Sequence, residues 1–158
     1  MPFLNHDGFD LRYETWRETT GKTPVLLIHG FASNLDVNWV GPLWIKTLTD
    51  SGYSVIAFDH RGHGKSDSSH NPDDYTPQKM AGDAFALLDY LDISQAHVMG
   101  IPWERGFLHS RLWNNRIASK ACVLAGLVWR LLKVLVFGGR STMPCSLKMY
   151  RRSLTQER

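Results

Sequence analysis

Pro24-Val25-Leu26-Leu27-Ile28-His29-Gly30-Phe31 is the stretch from which the fold is read. Val25 to Ile28 is a short, wholly apolar run closed by His29-Gly30. A strand apolar on both sides is covered on both faces, because a half-wet strand alternates. Tyr53-Ser54-Val55-Ile56-Ala57-Phe58, ending at Asp59, is a second buried strand, and Ala96-His97-Val98-Met99 is a third. After Phe31, residues 31–40 form a loop rich in Ser, Asn and Asp. A helix is predicted over about 41–50, with Leu43, Trp44 and Leu48 as its inner face and Gly52 stopping it. Thr76-Pro77 supplies the N-cap and first position of another helix, which runs to about Leu91. On it Met80, Ala84, Leu87, Leu88 and Leu91 recur on one face. Upstream, Phe9, Leu11 and Tyr13 alternate with Asp10, Arg12 and Glu14, which predicts a half-buried strand with one wet face. Residues 19–23 read as a turn. Strand, helix, strand, helix, strand predicts parallel pairing through right-handed crossovers, an α/β fold with helices flanking a mainly parallel sheet.

The chain has 158 residues, enough for one domain with a real core. Cys122 and Cys145 share no metal-ligand or redox spacing and point to a reducing compartment rather than a disulfide framework. Met1 to Asp7 has no basic region and no long apolar run, so no signal peptide is read and a cytoplasmic location is expected. The net charge of +3 hides an asymmetry. Residues 1–100 carry 7 Lys/Arg against 13 Asp/Glu, a net of −6, whereas residues 101–158 carry 11 against 2, a net of +9. Such a break commonly marks a domain boundary or a basic tail for nucleic acid or anionic lipid.

Val25-Leu26-Leu27-Ile28-His29-Gly30-Phe31, then Asp59-His60-Arg61-Gly62-His63-Gly64-Lys65-Ser66-Asp67, then a helix and Ala96-His97-Val98-Met99-Gly100 resemble the N-terminal half of an α/β-hydrolase-fold enzyme. The resemblance covers roughly residues 8–100, and the order and spacing of the motifs make it specific. It implies an esterase-like, carbon–carbon or epoxide hydrolase relative acting on a small ester-like substrate through a serine acyl-enzyme, with a triad in chain order Ser, Asp, His. It also implies one oxyanion-hole donor in the backbone N–H of Phe31, with Gly30 letting the chain approach the substrate. The bland reading of His29-Gly30 is a strand-end turn over a buried His29. In the resembled family Asp59 braces the loop carrying Arg61, Gly62 and Gly64, and His29 belongs to the same structural set. His29, His60 and His63 come with no cysteine or carboxylate cluster, so neither a metal nor any other cofactor is expected. Gly64-Lys65-Ser66 echoes the end of a phosphate-binding loop, but the position needing its first glycine is Asp59, which excludes that motif.

The resemblance breaks where the nucleophile belongs. Gly-x-Ser-x-Gly should follow the strand ending at Met99, lifting a serine oxygen above the sheet. The chain has Gly100-Ile101-Pro102-Trp103-Glu104 instead. Pro102 fills the serine slot and offers neither a hydroxyl nor a backbone N–H; Glu104 fills the second glycine slot. Ser110 and Ser119 lie in stretches with no elbow signature, so no catalytic residue is assigned. The genetic code offers an explanation. With one base restored in the codon of Gly100, each new codon starts at an old third position. Ile101-Pro102 can then give TCC, serine; Pro102-Trp103 gives NTG, which can be ATG, methionine; Trp103-Glu104 gives GGA, glycine. Gly-Tyr-Ser-Met-Gly-Ala-Arg-Ile is therefore permitted in the neighbouring frame, and its GGA glycine and NTG codon are forced. Arg116 to Leu127 again looks like the family's next strand, as a second, compensating shift would allow, and after Leu127 the resemblance is lost once more.

The expected organisation is thus half of a hydrolase domain over residues 1–100 and a divergent, frameshifted basic tail over 101–158 with a family-like strand near 116–127. The later triad members and the substrate-selecting lid would lie past residue 158. Should 101–127 fail to supply a strand, the strand at 96–99 would become an exposed apolar edge, prone to aggregate. Ala121 to Phe137 nears membrane-span length, but Arg130 and Lys133 each cost about 2.5–3.5 kcal/mol at a helix centre, which argues against a span. The alternative to an inactive hydrolase is a non-enzymatic remnant or binding module whose basic tail, with Trp103, Trp113 and Trp129, contacts a membrane or nucleic acid. No nucleic-acid motif supports that alternative.

Overall fold

The computed structural model describes residues 1–17, 23–101 and 117–122. Six strands form one sheet: β1 (Phe3–His6), β2 (Phe9–Trp16), β3 (Val25–Ile28), β4 (Val55–Phe58), β5 (Ala96–Gly100) and β6 (Ile117–Cys122). Their order is β1-β2-β4-β3-β5-β6. The β1–β2 and β2–β4 pairs are antiparallel, and β4, β3, β5 and β6 run parallel. The chain is thus α/β, with the three apolar runs central as their composition dictates.

Two helices cover the two faces: α1 (Trp44–Asp50) follows β3 and α2 (Pro77–Tyr90) follows β4. Alternation along each strand divides the core. Leu26, Ile28, Ile56, Phe58, Ala96 and Val98 meet Met80, Ala84, Leu87 and Leu88 of α2. Val25, Leu27, Val55, Ala57 and Met99 meet Leu35, Trp39, Ile45 and Leu48 on the other face. Thr76 caps α2 as its sequence requires, its hydroxyl accepting from the Lys79 N–H at 3.3 Å. Because β4 lies on one side of β3 and β5 on the other, chain direction reverses at β3. A crevice outside the carboxyl ends of the strands forms at such a reversal.

Four local expectations need correction. β1 was not anticipated; it pairs with β2 across Asp7 and Gly8, both at positive φ, the backbone of a tight two-residue hairpin. Arg12 does not face water: it is 1% exposed, because three carboxylates surround it. Leu43 is exposed and left-handed ahead of α1, so the buried face of α1 is Ile45 and Leu48. The 31–40 loop holds a π-helical turn, Asp36–Val40, that buries Trp39. β6 lies against β5, with Gly100 opposite Cys122, so β5 is not an edge strand.

Candidate functional site

The carboxyl ends of β3 and β4 carry the two motifs, and they are locked to each other through His29. Its ring is fully buried and accepts the His60 backbone N–H at Nε2, 3.0 Å away. Its proton must therefore sit on Nδ1, which donates to the Gly30 carbonyl at 2.8 Å. Burial, ahead of every other influence, pushes the His29 pKa down to about 4. Burial likewise lowers that of His60. Both rings are neutral near pH 7; they stack edge-on at 4.8 Å, with His63 5.3 Å from His29. Among the described residues no group of His, Cys, Asp or Glu is arranged to hold a metal.

Asp59, fully buried, gathers three segments. One carboxylate oxygen accepts from the Leu35 N–H at 2.8 Å; the other accepts from the Lys65 N–H at 3.0 Å and Arg12 at 3.3 Å. Both oxygens of this carboxylate are thus engaged by the scaffold. The loop wraps it so closely that a Cβ on Gly64, whose φ is +56°, would sit 2.2 Å from Asp59 Oδ2. Gly62, at φ +75°, is pressed against the Tyr75 ring in the same way.

Arg61 is the second clamp. Its Nε and Nη2 donate to the two oxygens of Asp83 at 2.7 and 2.6 Å, with both side chains fully buried. Its Nη1 donates to the Asp74 carbonyl at 3.1 Å and Asp7 at 3.3 Å, and the guanidinium lies 4.4 Å over the Phe9 ring. Burial works against the Arg61 charge, but the Asp83 bonds outweigh it and raise the pKa. Arg12 forms a third anchor, bidentate to Asp36 at 2.6 and 3.0 Å and bonded to Glu14. Its hydrogen bond holds the Asp36 carboxyl below the usual carboxylate range.

These anchors fix the segment after Gly30. The Gly30 N–H donates to Asn38 Oδ1 at 2.8 Å. The Phe31 ring points outward, 75% exposed, 5.9 Å from His63. On the neighbouring strand, Gly100 is in register with Ile28, and the Ile101 N–H donates to the Ile28 carbonyl at 3.2 Å. Ile101 Cγ2 lies 3.0 Å from where a Cβ on Gly30 would be, so a side chain at position 30 would press on the Ile101 side chain, which would have to give by a few tenths of an ångström. Gly30, Phe31, His29, Asp59, Arg61, Gly62 and Gly64 thus all gather at one edge of the sheet, beside the exit of β5. Pro102 and Glu104 lie outside the described residues.

Sequence reasoning missed Arg12, Asp36, Asn38 and Asp83. Only Asp83 left a legible signal: it interrupts the apolar stripe of α2 between Met80 and Ala84, where a carboxylate demands a buried partner.

Comparison with known proteins agrees with this geometry. An epoxide hydrolase of Caballeronia sordidicola is 37% identical over 90 residues, covering 57% of this chain and 25% of that protein. A dihydrolipoyllysine-residue acetyltransferase component of an acetoin cleaving system, from Cupriavidus necator, is 40% identical over 98 residues, 62% of this chain and 24% of that one. The chain therefore spans about a quarter of the length of these curated relatives. Among solved structures, epoxide hydrolase A of Mycobacterium thermoresistibile matches with a TM-score of 0.66 at 28% identity, over 77% of this chain and 37% of that one. The enol-lactonase of Burkholderia xenovorans matches at 0.54 and 28%, over 63% and 36%. The family model for the alpha/beta hydrolase fold matches residues 23–103, half of the chain. With the sheet order, the locked His-Gly and Arg-Gly loops and this match in hand, the chain belongs to the α/β hydrolase fold family.

Proposed function

We propose that this chain is the N-terminal half of a hydrolase domain that keeps one side of an ester-cleaving site and has lost the other, so that it is inactive as translated. The observation that carries the reading is the in-register pair Ile28 and Gly100. β3 continues into His29-Gly30-Phe31, where the backbone N–H of Phe31 is the oxyanion donor, with Gly30 beside it. β5 continues into Ile101-Pro102, where the attacking group should stand. Neither side chain carries a hydroxyl, thiol or carboxylate, so no covalent intermediate can form there. Oxyanion donors without a nucleophile give only residual catalysis.

In the same reading, His29, Asp59, Arg61, Gly62 and Gly64 are structural. The Asp59 carboxylate is already engaged by Leu35, Lys65 and Arg12, which supports bracing rather than acid–base work. Residues 101–158 are the divergent part: a change of reading frame accounts for 101 to about 110, a compensating shift restores the frame before Arg116, and the resemblance is lost again after Leu127. The substrate class of the intact ancestor is a small ester, lactone or epoxide; the relatives named for epoxide and lactone hydrolysis support it. The purified chain, mixed with a p-nitrophenyl ester and a fluorophosphonate probe, is expected to release no p-nitrophenol above buffer and to take up no label. Covalent labelling of any serine would overturn the proposal.

A further inference from the structure

The hairpin that opens the chain is clasped to α2 by a pair of side chains outside the crevice. His6 ends β1, and its Nδ1 lies 2.8 Å from Asp83 Oδ1 on α2. The same oxygen accepts from Arg61 Nη2 at 2.6 Å, and Asp83 is fully buried. A carboxylate paired with arginine only accepts, so Nδ1 is the His6 nitrogen that carries hydrogen. In the neutral ring the free lone pair is therefore on Nε2.

Alternation turns Leu4 and His6 toward α2. Leu4 joins the core there, and His6 Cε1 lies 3.7 Å from where a Cβ on Gly82 would be. The His6 side chain is nevertheless 35% exposed. Among the described residues Nε2 makes no hydrogen bond and is not buried, so it meets solvent. His29 and His60, by contrast, are fully buried, and exposed His70 serves as an unclasped reference. A carboxylate behind an imidazole fixes the tautomer and orientation of the ring, and it stabilises the positive charge that forms when the far nitrogen takes up an electrophile.

We propose that His6 Nε2 is a covalent modification site for strongly electrophilic acyl donors of the anhydride class, and that acylating it undoes the clasp of β1 on α2. Nε2 gives its lone pair to the acyl carbon, forming a C–N bond, and the bond from that carbon to the leaving oxygen breaks. The leaving group takes the Nδ1 proton. The product is a neutral N-acylimidazole whose Nδ1 bears a lone pair where it bore hydrogen, facing the Asp83 carboxylate. A donor and an acceptor have become two acceptors, and the bond is lost. The claim concerns a stoichiometric reaction at a histidine beside α2, so it stands apart from the missing serine.

The test treats the full-length chain with diethyl pyrocarbonate at about pH 8, where imidazoles are largely neutral. Peptide mapping by mass spectrometry gives the rate of carbethoxylation at each histidine, and hydrogen exchange is followed in the peptide containing β1. His6 is expected to react about threefold faster than His70, although it is less exposed. Exchange in β1 should quicken about fivefold as His6 is labelled, and hydroxylamine, which removes the group, should restore it. In His6→Gln the reagent should leave β1 exchange unchanged. Asp83→Asn should bring the His6 rate down to that of His70; if that variant fails to fold, the ratio of the two rates in the unaltered chain decides. Labelling of His6 no faster than His70 would overturn the proposal. So would labelling that leaves β1 exchange unchanged, or the same quickening in His6→Gln.

Discussion

At one edge of this sheet, neighbouring strands end in opposite ways. β3 and β4 run out into loops fixed by buried side chains: Asp59 holds Leu35, Lys65 and Arg12, while Arg61 holds Asp83. β5 leaves the same edge at Gly100 and Ile101, which are held by backbone pairing: Gly100 lies in register between Ile28 and Cys122, and the Ile101 N–H donates to the Ile28 carbonyl at 3.2 Å. A preorganised site needs both sides fixed. Under the proposed reading, the β3 and β4 ends form the retained half of a hydrolase site and the β5 end the half that lost its nucleophile.

The contrast can be broken at four points. The largest effect is expected from Asp83→Ala, which strands the fully buried Arg61 guanidinium without its bidentate partner. A loss of about 3–5 kcal/mol is expected in denaturant unfolding, and Arg61→Met/Asp83→Leu should recover part of it. A loss below about 1 kcal/mol would mean that this clamp does not hold the β4 end.

Acid should loosen the same edge next. The His29 pKa is lowered from 6.5 to about 4 by burial, so the unfolded chain binds more protons than the folded one between those values. Stability is then full above about pH 6.5 and falls as pH drops toward 4, by about 3 kcal/mol from this ring alone. His60 shifts the same way and adds to the loss. Melting temperatures measured across that window should decline steadily; a flat profile would mean that His29 is hydrated.

Asn38→Ala removes the acceptor of the Gly30 N–H, for an expected cost of about 1–3 kcal/mol and faster amide exchange at Gly30. Asn38→Asp keeps an acceptor oxygen and should restore most of the protection. The smallest effect is expected at the β5 end. Ile101→Ala trims a half-buried side chain and should cost about 1 kcal/mol, well below a fully buried isoleucine. Should Ile101→Ala cost more than Asn38→Ala, the two strand ends would be equally fixed and the contrast would vanish.

Much of this was legible in the sequence. Three runs read as buried central strands and Thr76-Pro77 reads as the opening of a helix, and the fold agrees with both. The His-Gly and Arg-Gly motifs resemble one family because the backbone there must turn tightly around buried side chains, as the contact between Gly64 and Asp59 illustrates. Pairwise chemistry was hidden. Arg12 sits in a strict alternation and passes for a solvated residue until Asp36 and Asp59 are brought to it by the fold. Leu43 has the right spacing for a helix face, but its positive φ places it before the helix begins. The hairpin at Asp7-Gly8 was readable from its turn residues, yet the four-residue strand ahead of it is too short for a periodic signal.

The central claim, that a serine elbow after β5 was lost by a change of reading frame, is tested most directly by the nucleotide sequence covering codons 98–130. The account predicts that the neighbouring frame spells Gly-Tyr-Ser-Met-Gly, or another Gly-x-Ser-x-Gly, across codons 100–104, and that the original frame is regained before codon 116. A sequence with no such elbow in the neighbouring frame would contradict it, and residues 101–158 would then be a selected part of the molecule.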